Sequence, residues 1–85
     1  MPEISRFYGI IITMNYREHN PPHFHAIYQE YEITVEIKTG IVAGKMPKRA
    51  LNMIFEWLDL HKAELLEEWD LAQDRKSLVK IEPLP

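Results

Sequence analysis

The chain has 85 residues, 46% of them hydrophobic and 11% aromatic, enough for one small core and no second domain. It has no cysteine, which excludes disulfides and thiolate metal sites, and its longest apolar run, Ile10-Ile11-Ile12, cannot span a membrane. A net charge of −3, with basic residues clustered no further than Lys48-Arg49 and Arg75-Lys76, disfavours binding to nucleic acid through phosphate neutralisation.

Ser5 to Tyr8 reads as a short strand, joined through a turn or bulge at Gly9 to a second strand over Ile10 to Tyr16. Ile10, Ile12, Met14 and Tyr16 share one face of that second strand. After the Asn20-Pro21-Pro22 corner, Phe24, Ala26 and Tyr28 share one face of a strand, and His23, His25 and Ile27 share the other. Tyr31, Ile33, Val35 and Ile37 then alternate with Glu32, Thr34, Glu36 and Lys38, the pattern of a half-buried strand. Only Gln29-Glu30 separates the last two runs, so they form a hairpin. Their apolar faces coincide if Tyr28 pairs with Tyr31, and counting back then sets His25 opposite Thr34 and His23 opposite Glu36. Opposed residues have Cβ atoms about 4.5–5.5 Å apart, which brings His23 and Glu36 within reach. Thr39-Gly40 makes the next turn, Ile41 to Ala43 a brief return strand, and Gly44 ends the section.

Pro47 suits the first position of a helix. From Ala50 to Leu60 one stripe holds Leu51, Ile54, Phe55 and Leu58, and a second holds Ala50, Met53, Trp57 and Leu60. A helix so apolar is covered on more than one side, either within the domain or in an interface. Lys62 to Gln73 places Leu65, Leu66, Trp69 and Ala72 on one face. Unbroken helix from Pro47 to Gln73 would measure roughly 40 Å, whereas a domain of this length is only about 30 Å across. A break or sharp kink near Asp59-Leu60-His61 is therefore expected. Leu78, Val79 and Ile81 in the tail suit an edge strand or strap. The expected fold is α+β, an antiparallel sheet of three to four strands covered on one face by two C-terminal helices.

Three of the four histidines lie between Glu18 and His25, and three readings of them remain open. His23 and His25, at i and i+2 on one strand face, could bind a divalent metal with Glu36 or His19 as third ligand. His23-Phe24-His25 followed by Glu30 resembles the front half of the cupin metal motif. The glycines of that motif are missing, and the chain is too short and too helical for the cupin barrel. In a second reading, His23 and His25 act as general acid and base, as in metal-independent ribonucleases, with Arg17 or Arg6 steadying a phosphate and Glu36 fixing a tautomer. In the third, the rings satisfy backbone carbonyls and Glu36 around the corner, the plainer and more frequent role. Trp57 and Trp69, at helical spacing with leucines, read as core or interface. Glu64, Glu67, Glu68 and Asp70 read as a solvated helix face.

Several segments together resemble one family of small bacterial proteins. They are Pro2-Glu3-Ile4-Ser5-Arg6-Phe7-Tyr8-Gly9-Ile10, His19-Asn20-Pro21-Pro22-His23-Phe24-His25, Met46-Pro47-Lys48-Arg49-Ala50-Leu51, Trp57-Leu58, Leu65-Leu66-Glu67-Glu68-Trp69 and Lys80-Ile81-Glu82-Pro83-Leu84. That family is catalogued as domain of unknown function 4160. The chain departs from it at Gln29-Glu30, where a glycine-rich pair is usual. The resemblance implies a one-domain α+β protein, often encoded beside another small protein in an arrangement suggestive of toxin–antitoxin pairs. It supplies no catalytic residue.

The leading expectation is thus a cytoplasmic protein-interaction component of a two-gene module. Such a protein would bind a small cognate partner, or itself as a homodimer, through the Leu51–Leu60 helix. Met1-Pro2-Glu3-Ile4 lacks the basic and apolar regions of a secretion signal, hence the compartment. The competing expectation is a metalloprotein or His-based hydrolase or ribonuclease. Its catalytic group would be His23, His25, Glu36 and Arg17, and its metal ligands His19, His23 and His25.

Overall fold

Alternation of apolar and polar residues sets which side of each strand is buried, and the register follows from it. The computed structural model describes residues 2–85. Its strands are β1 (Glu3–Phe7), β2 (Ile10–Thr13), β3 (His23–Tyr28), β4 (Tyr31–Glu36) and β5 (Val42–Gly44), followed by one helix, α1 (Lys48–Gln73). The strands form a single antiparallel sheet in the order β1-β2-β3-β4-β5. Between β3 and β4, Tyr28 opposes Tyr31, His25 opposes Thr34 and His23 opposes Glu36, the register the apolar pattern requires. The hairpin turn closes without glycine because Gln29 itself takes a positive φ of 55°. At the β1–β2 turn both central residues are left-handed, Tyr8 at φ 49° and Gly9 at φ 82°, as a two-residue turn matched to strand twist demands.

The sheet has five strands rather than the expected three to four. β1 begins two residues earlier than expected and carries a bulge between Glu3 and Ser5. Gly44 is not a terminator but a ladder residue opposite Ile33. Its φ is 108°, and a Cβ there would lie 2.8 Å from the carbonyl oxygen of Glu32. The close approach of β5 to β4 is therefore open to glycine alone. β2 stops at Thr13, short of the expected Tyr16, as the chain turns through Arg17 at φ 54° and the cis Asn20–Pro21 bond.

One helix stands where two were expected, yet it is not straight. His61 has φ −123° and ψ 21°, outside helical values, so two helical runs meet across a kink there with no loop between them. Twenty-six residues of straight helix would run about 39 Å, while the molecule's longest dimension is 33 Å. The bend lets one element serve two surfaces. Before it, Ala50, Ile54, Trp57 and Leu58 are buried in a core shared with Ile10, Ile12, Phe24, Ala26, Ile33 and Val35. Trp57 is at the centre, 5.5 Å from the Phe7 ring and 5.7 Å from the Phe24 ring. Its indole N–H donates to the carbonyl of Glu82 at 2.8 Å, tying down the C-terminal strap. The strap buries Ile81 and Leu84, and Ile81 N–H donates to the Ile4 carbonyl at 2.8 Å.

After the bend, Leu65, Trp69 and Ala72 are buried, and the end of α1 contacts the loop between β2 and β3. Glu68 is also buried, not part of a solvated face, and accepts a hydrogen bond from the Val79 N–H at 2.7 Å. Burial pushes its carboxyl above the ordinary value, and the Val79 bond only partly offsets that. Among the described residues no helix is long and apolar enough to cross a membrane.

If Gly44 is required by its backbone and its contact with Glu32, Gly44→Ala should cost about 1–3 kcal/mol in denaturant unfolding. An unchanged midpoint would show that β5 moves away from β4 at no cost.

Candidate functional site

The extended conformation of β3 sends His23 and His25 to the same side of the sheet, opposite Phe24 and Ala26, which are fully buried. Both imidazoles keep only 14% of their side-chain exposure. Their shared partner comes from the loop before the strand. Glu18 reaches back so that Oε1 lies 2.8 Å from His25 Nε2 and Oε2 lies 3.3 Å from His23 Nε2. One carboxylate thus spans two rings whose centroids are 5.5 Å apart.

Each member of this group is held from behind. Asn15 Nδ2 donates to Glu18 Oε1 at 2.6 Å, and Gln73 at the end of α1 donates to the Glu18 carbonyl at 3.0 Å. The His23 ring packs against Trp69, with centroids 5.2 Å apart. His23 Nδ1 lies 2.8 Å from the carbonyl oxygen of Pro21. A carbonyl only accepts, so this nitrogen carries the proton. His25 Nδ1 is buried without a hydrogen bond, 3.5 Å from Glu32 Oε2. Burial raises the Glu18 carboxyl, but hydrogen bonds from His25 and Asn15 and the nearby imidazole charges outweigh it and hold the group below its ordinary value.

The tautomer of His23 has a direct electrostatic consequence. With Nδ1–H given to Pro21, a neutral ring presents the lone pair of Nε2 to a carboxylate oxygen 3.3 Å away. Two electron-rich atoms at that distance call for positive charge between them, either a second proton on the ring or a metal ion. Glu18, His23 and His25 each offer one ligand atom, and these atoms all lie within 4.8 Å of one another. Tetrahedral coordination with bonds of about 2.1 Å separates ligand atoms by roughly 3.4 Å, and the Glu18 oxygens lie 2.8 Å and 3.3 Å from His25 Nε2 and His23 Nε2. Two histidines and one carboxylate are the donor set of several catalytic zinc sites and of non-haem iron(II) centres. A metal-bound histidine usually gives its other ring N–H to a carbonyl or carboxylate, the relation of His23 to Pro21.

The structure brings together only part of the expected set. His23 and His25 are adjacent as anticipated. Glu36 opposes His23 in register, yet its carboxylate accepts from the Thr39 hydroxyl at 3.0 Å and caps the following turn. His19 is exposed and lies outside the cluster. Arg17 also lies apart, lining a hollow with Tyr16 and Arg75. Arg6 pairs with Glu3 at 2.8 Å. Sequence reasoning missed Glu18, Asn15 and Glu32. Glu18 opens the histidine-rich stretch, and that proximity was the available signal. Strand parity can rank only residues within strands, so it favoured Glu36 over a loop carboxylate.

The chain belongs to the family described as domain of unknown function (DUF4160), whose model matches residues 9–70. β1 and the C-terminal strap, which carry part of the resemblance noted in the sequence, lie outside that match. Neither the curated proteins nor the solved structures include a match to this chain.

The Glu18 carboxyl has a folded-state pKa below the ordinary 4.5, so it stabilises the fold above that value and the stabilisation disappears as acid protonates it. Glu18→Gln should therefore be less stable than the parent at pH 7, and the gap should close as pH falls below 4.5. A gap of constant size across chemical denaturation at several pH values would show that Glu18 acts through packing instead.

Proposed function

We propose that this member of the DUF4160 family is a metal-binding protein whose divalent transition ion is held by Glu18, His23 and His25. The observation that carries the reading is the arrangement of His23: its Nδ1 is committed to the Pro21 carbonyl while its Nε2 faces a carboxylate also shared by His25. Soft thiolate ligands are absent from the sequence, and the nitrogen and oxygen donors suit zinc, iron(II), or a neighbour of theirs. Half-burial at the start of β3 leaves a side open to solvent, the condition for a catalytic rather than purely structural site. A bound ion would supply Lewis acidity and a water of lowered pKa, the chemistry of hydrolysis. His23 and His25 would hold the ion and Glu18 would offset its charge, while Asn15 fixes the carboxylate.

Elemental analysis and calorimetry on tag-free protein test this reading. One equivalent of zinc or iron(II) is expected to bind with release of protons, and affinity should fall as pH is lowered. His23→Ala, His25→Ala and Glu18→Ala should each abolish stoichiometric binding while leaving the far-ultraviolet circular dichroism of the fold in place. Equal binding by parent and variants, or none by the parent, would overturn it.

The partner-binding role in a toxin–antitoxin-like module is a second reading, supported by a narrower observation. Trp57 is fully buried within the chain, which removes most of the second helical stripe from solvent, but Leu60 beside the bend is 60% exposed and Phe55 is half-buried. If this patch mediates self-association, light scattering should find a dimer that Leu60→Asp returns to monomer. A monomeric parent at all accessible concentrations would leave the patch without that role.

A further inference from the structure

Two arginines in this fold occupy backbone positions where glycine would be cheaper. Arg17 has φ 54° and Arg75 has φ 56°, a region in which a side chain crowds the following carbonyl. Arg75 sits just beyond the end of α1. Its N–H donates to the Ala72 carbonyl at 3.2 Å, and the Lys76 N–H donates to the Leu71 carbonyl at 2.9 Å. This is the double hydrogen bond of a Schellman cap, whose left-handed residue is usually glycine. Arg17 lies in the β2–β3 loop, and its N–H donates to the same Ala72 carbonyl at 3.3 Å. One acceptor thus draws together two left-handed arginines from distant parts of the chain.

Both line one open hollow of about 340 Å³, together with Tyr16, which is 42% exposed. Among the described residues neither guanidinium forms an ion pair. Glu18, the acidic neighbour of Arg17, is turned to the histidines, and Asp74 beside Arg75 pairs with neither arginine. No acidic residue among those described lines this hollow beside the two arginines. Two planar forks and a phenol offer more donors than a single carboxylate can accept, whereas a phosphate group presents several oxygens and up to two charges.

We propose that Tyr16, Arg17 and Arg75 form a binding site for a phosphate group, carried by a small phosphorylated ligand or as the free ion. The site does not require an ion at the histidines, although the same two segments, 15–18 and 72–75, support both. A phosphate ester bound here would lie at the corner that also presents Glu18.

The test uses the whole chain in EDTA, so that its outcome is separate from that of the metal reading. Inorganic phosphate is titrated while the Arg17 and Arg75 Nε–H signals are followed by nitrogen–proton correlation spectroscopy, with chloride at matched ionic strength as control. Saturable shifts at both arginines with phosphate and none with chloride are expected. Arg17→Gly and Arg75→Gly should each weaken binding about tenfold or more, the loss of a charge-assisted donor group. Both variants should unfold at an unchanged or higher temperature, because glycine suits the left-handed backbone. A phenyl phosphate arm separates the two ligand sources: tighter binding assigns the site to a phosphomonoester, equal binding to the free ion. Shifts that grow without saturation, or variants that bind like the parent, would overturn the proposal. It also falls if both glycine variants are less stable, since the arginines would then be structural.

Discussion

The bend at His61 is the constraint on which the molecule's organisation depends. The first run of the helix packs Ala50, Ile54, Trp57 and Leu58 into the core against the apolar residues of the sheet. A straight helix would leave its second half projecting into water. Departure from helical geometry at a single residue redirects Leu65, Trp69 and Ala72 towards the loop between β2 and β3. That loop has no regular secondary structure of its own, so the helix end supplies its order, through the Ala72 carbonyl on Arg17 and the Gln73 amide on Glu18.

The chemistry inherits this arrangement. A strand holds two imidazoles side by side with little freedom, but a strand alone gives them no shared partner. The partner is a loop carboxylate, and its position relies on contacts from Asn15 and Gln73, far apart in sequence. The Trp69 ring packs against His23 at a tilt of 49°. Such support from surrounding groups keeps the carboxylate and the two rings together, where unsupported surface histidines would splay apart. Hydrogen bonds from His25 and Asn15 hold the Glu18 carboxyl below its ordinary value against the opposing effect of its burial.

Polar groups at this corner divide into two sets that share a backbone but not side chains. Glu18 faces the histidines and Arg17 faces away from them, although the two are neighbours in the chain. Left-handed geometry at Arg17 is what separates their directions. The same conformation at Arg75 brings the second arginine to the Arg17 side.

Period-two alternation in residues 24–37 determined the β3–β4 register to the residue, because slipping by one would turn Phe24, Ile33 and Val35 out into water. Length against helix rise located the bend, although no glycine or proline marks it. Residue patterns also placed His23 and His25 on one face and the C-terminal tail as a strap. Short strands were less legible. β5 depends on a glycine that permits close backbone approach, and in a sequence the same glycine looks like a stop signal. The two expected helical runs form one element because they meet at the His61 kink with no loop between them. Only tertiary structure decided which carboxylate meets the histidines. Cross-strand opposition fixes where Glu36 starts but not where its flexible side chain ends, and the Thr39 hydroxyl claims it. Glu18 and the paired arginines arise from the end of α1 closing on a loop 55 residues away from Gln73, a contact that no local pattern encodes.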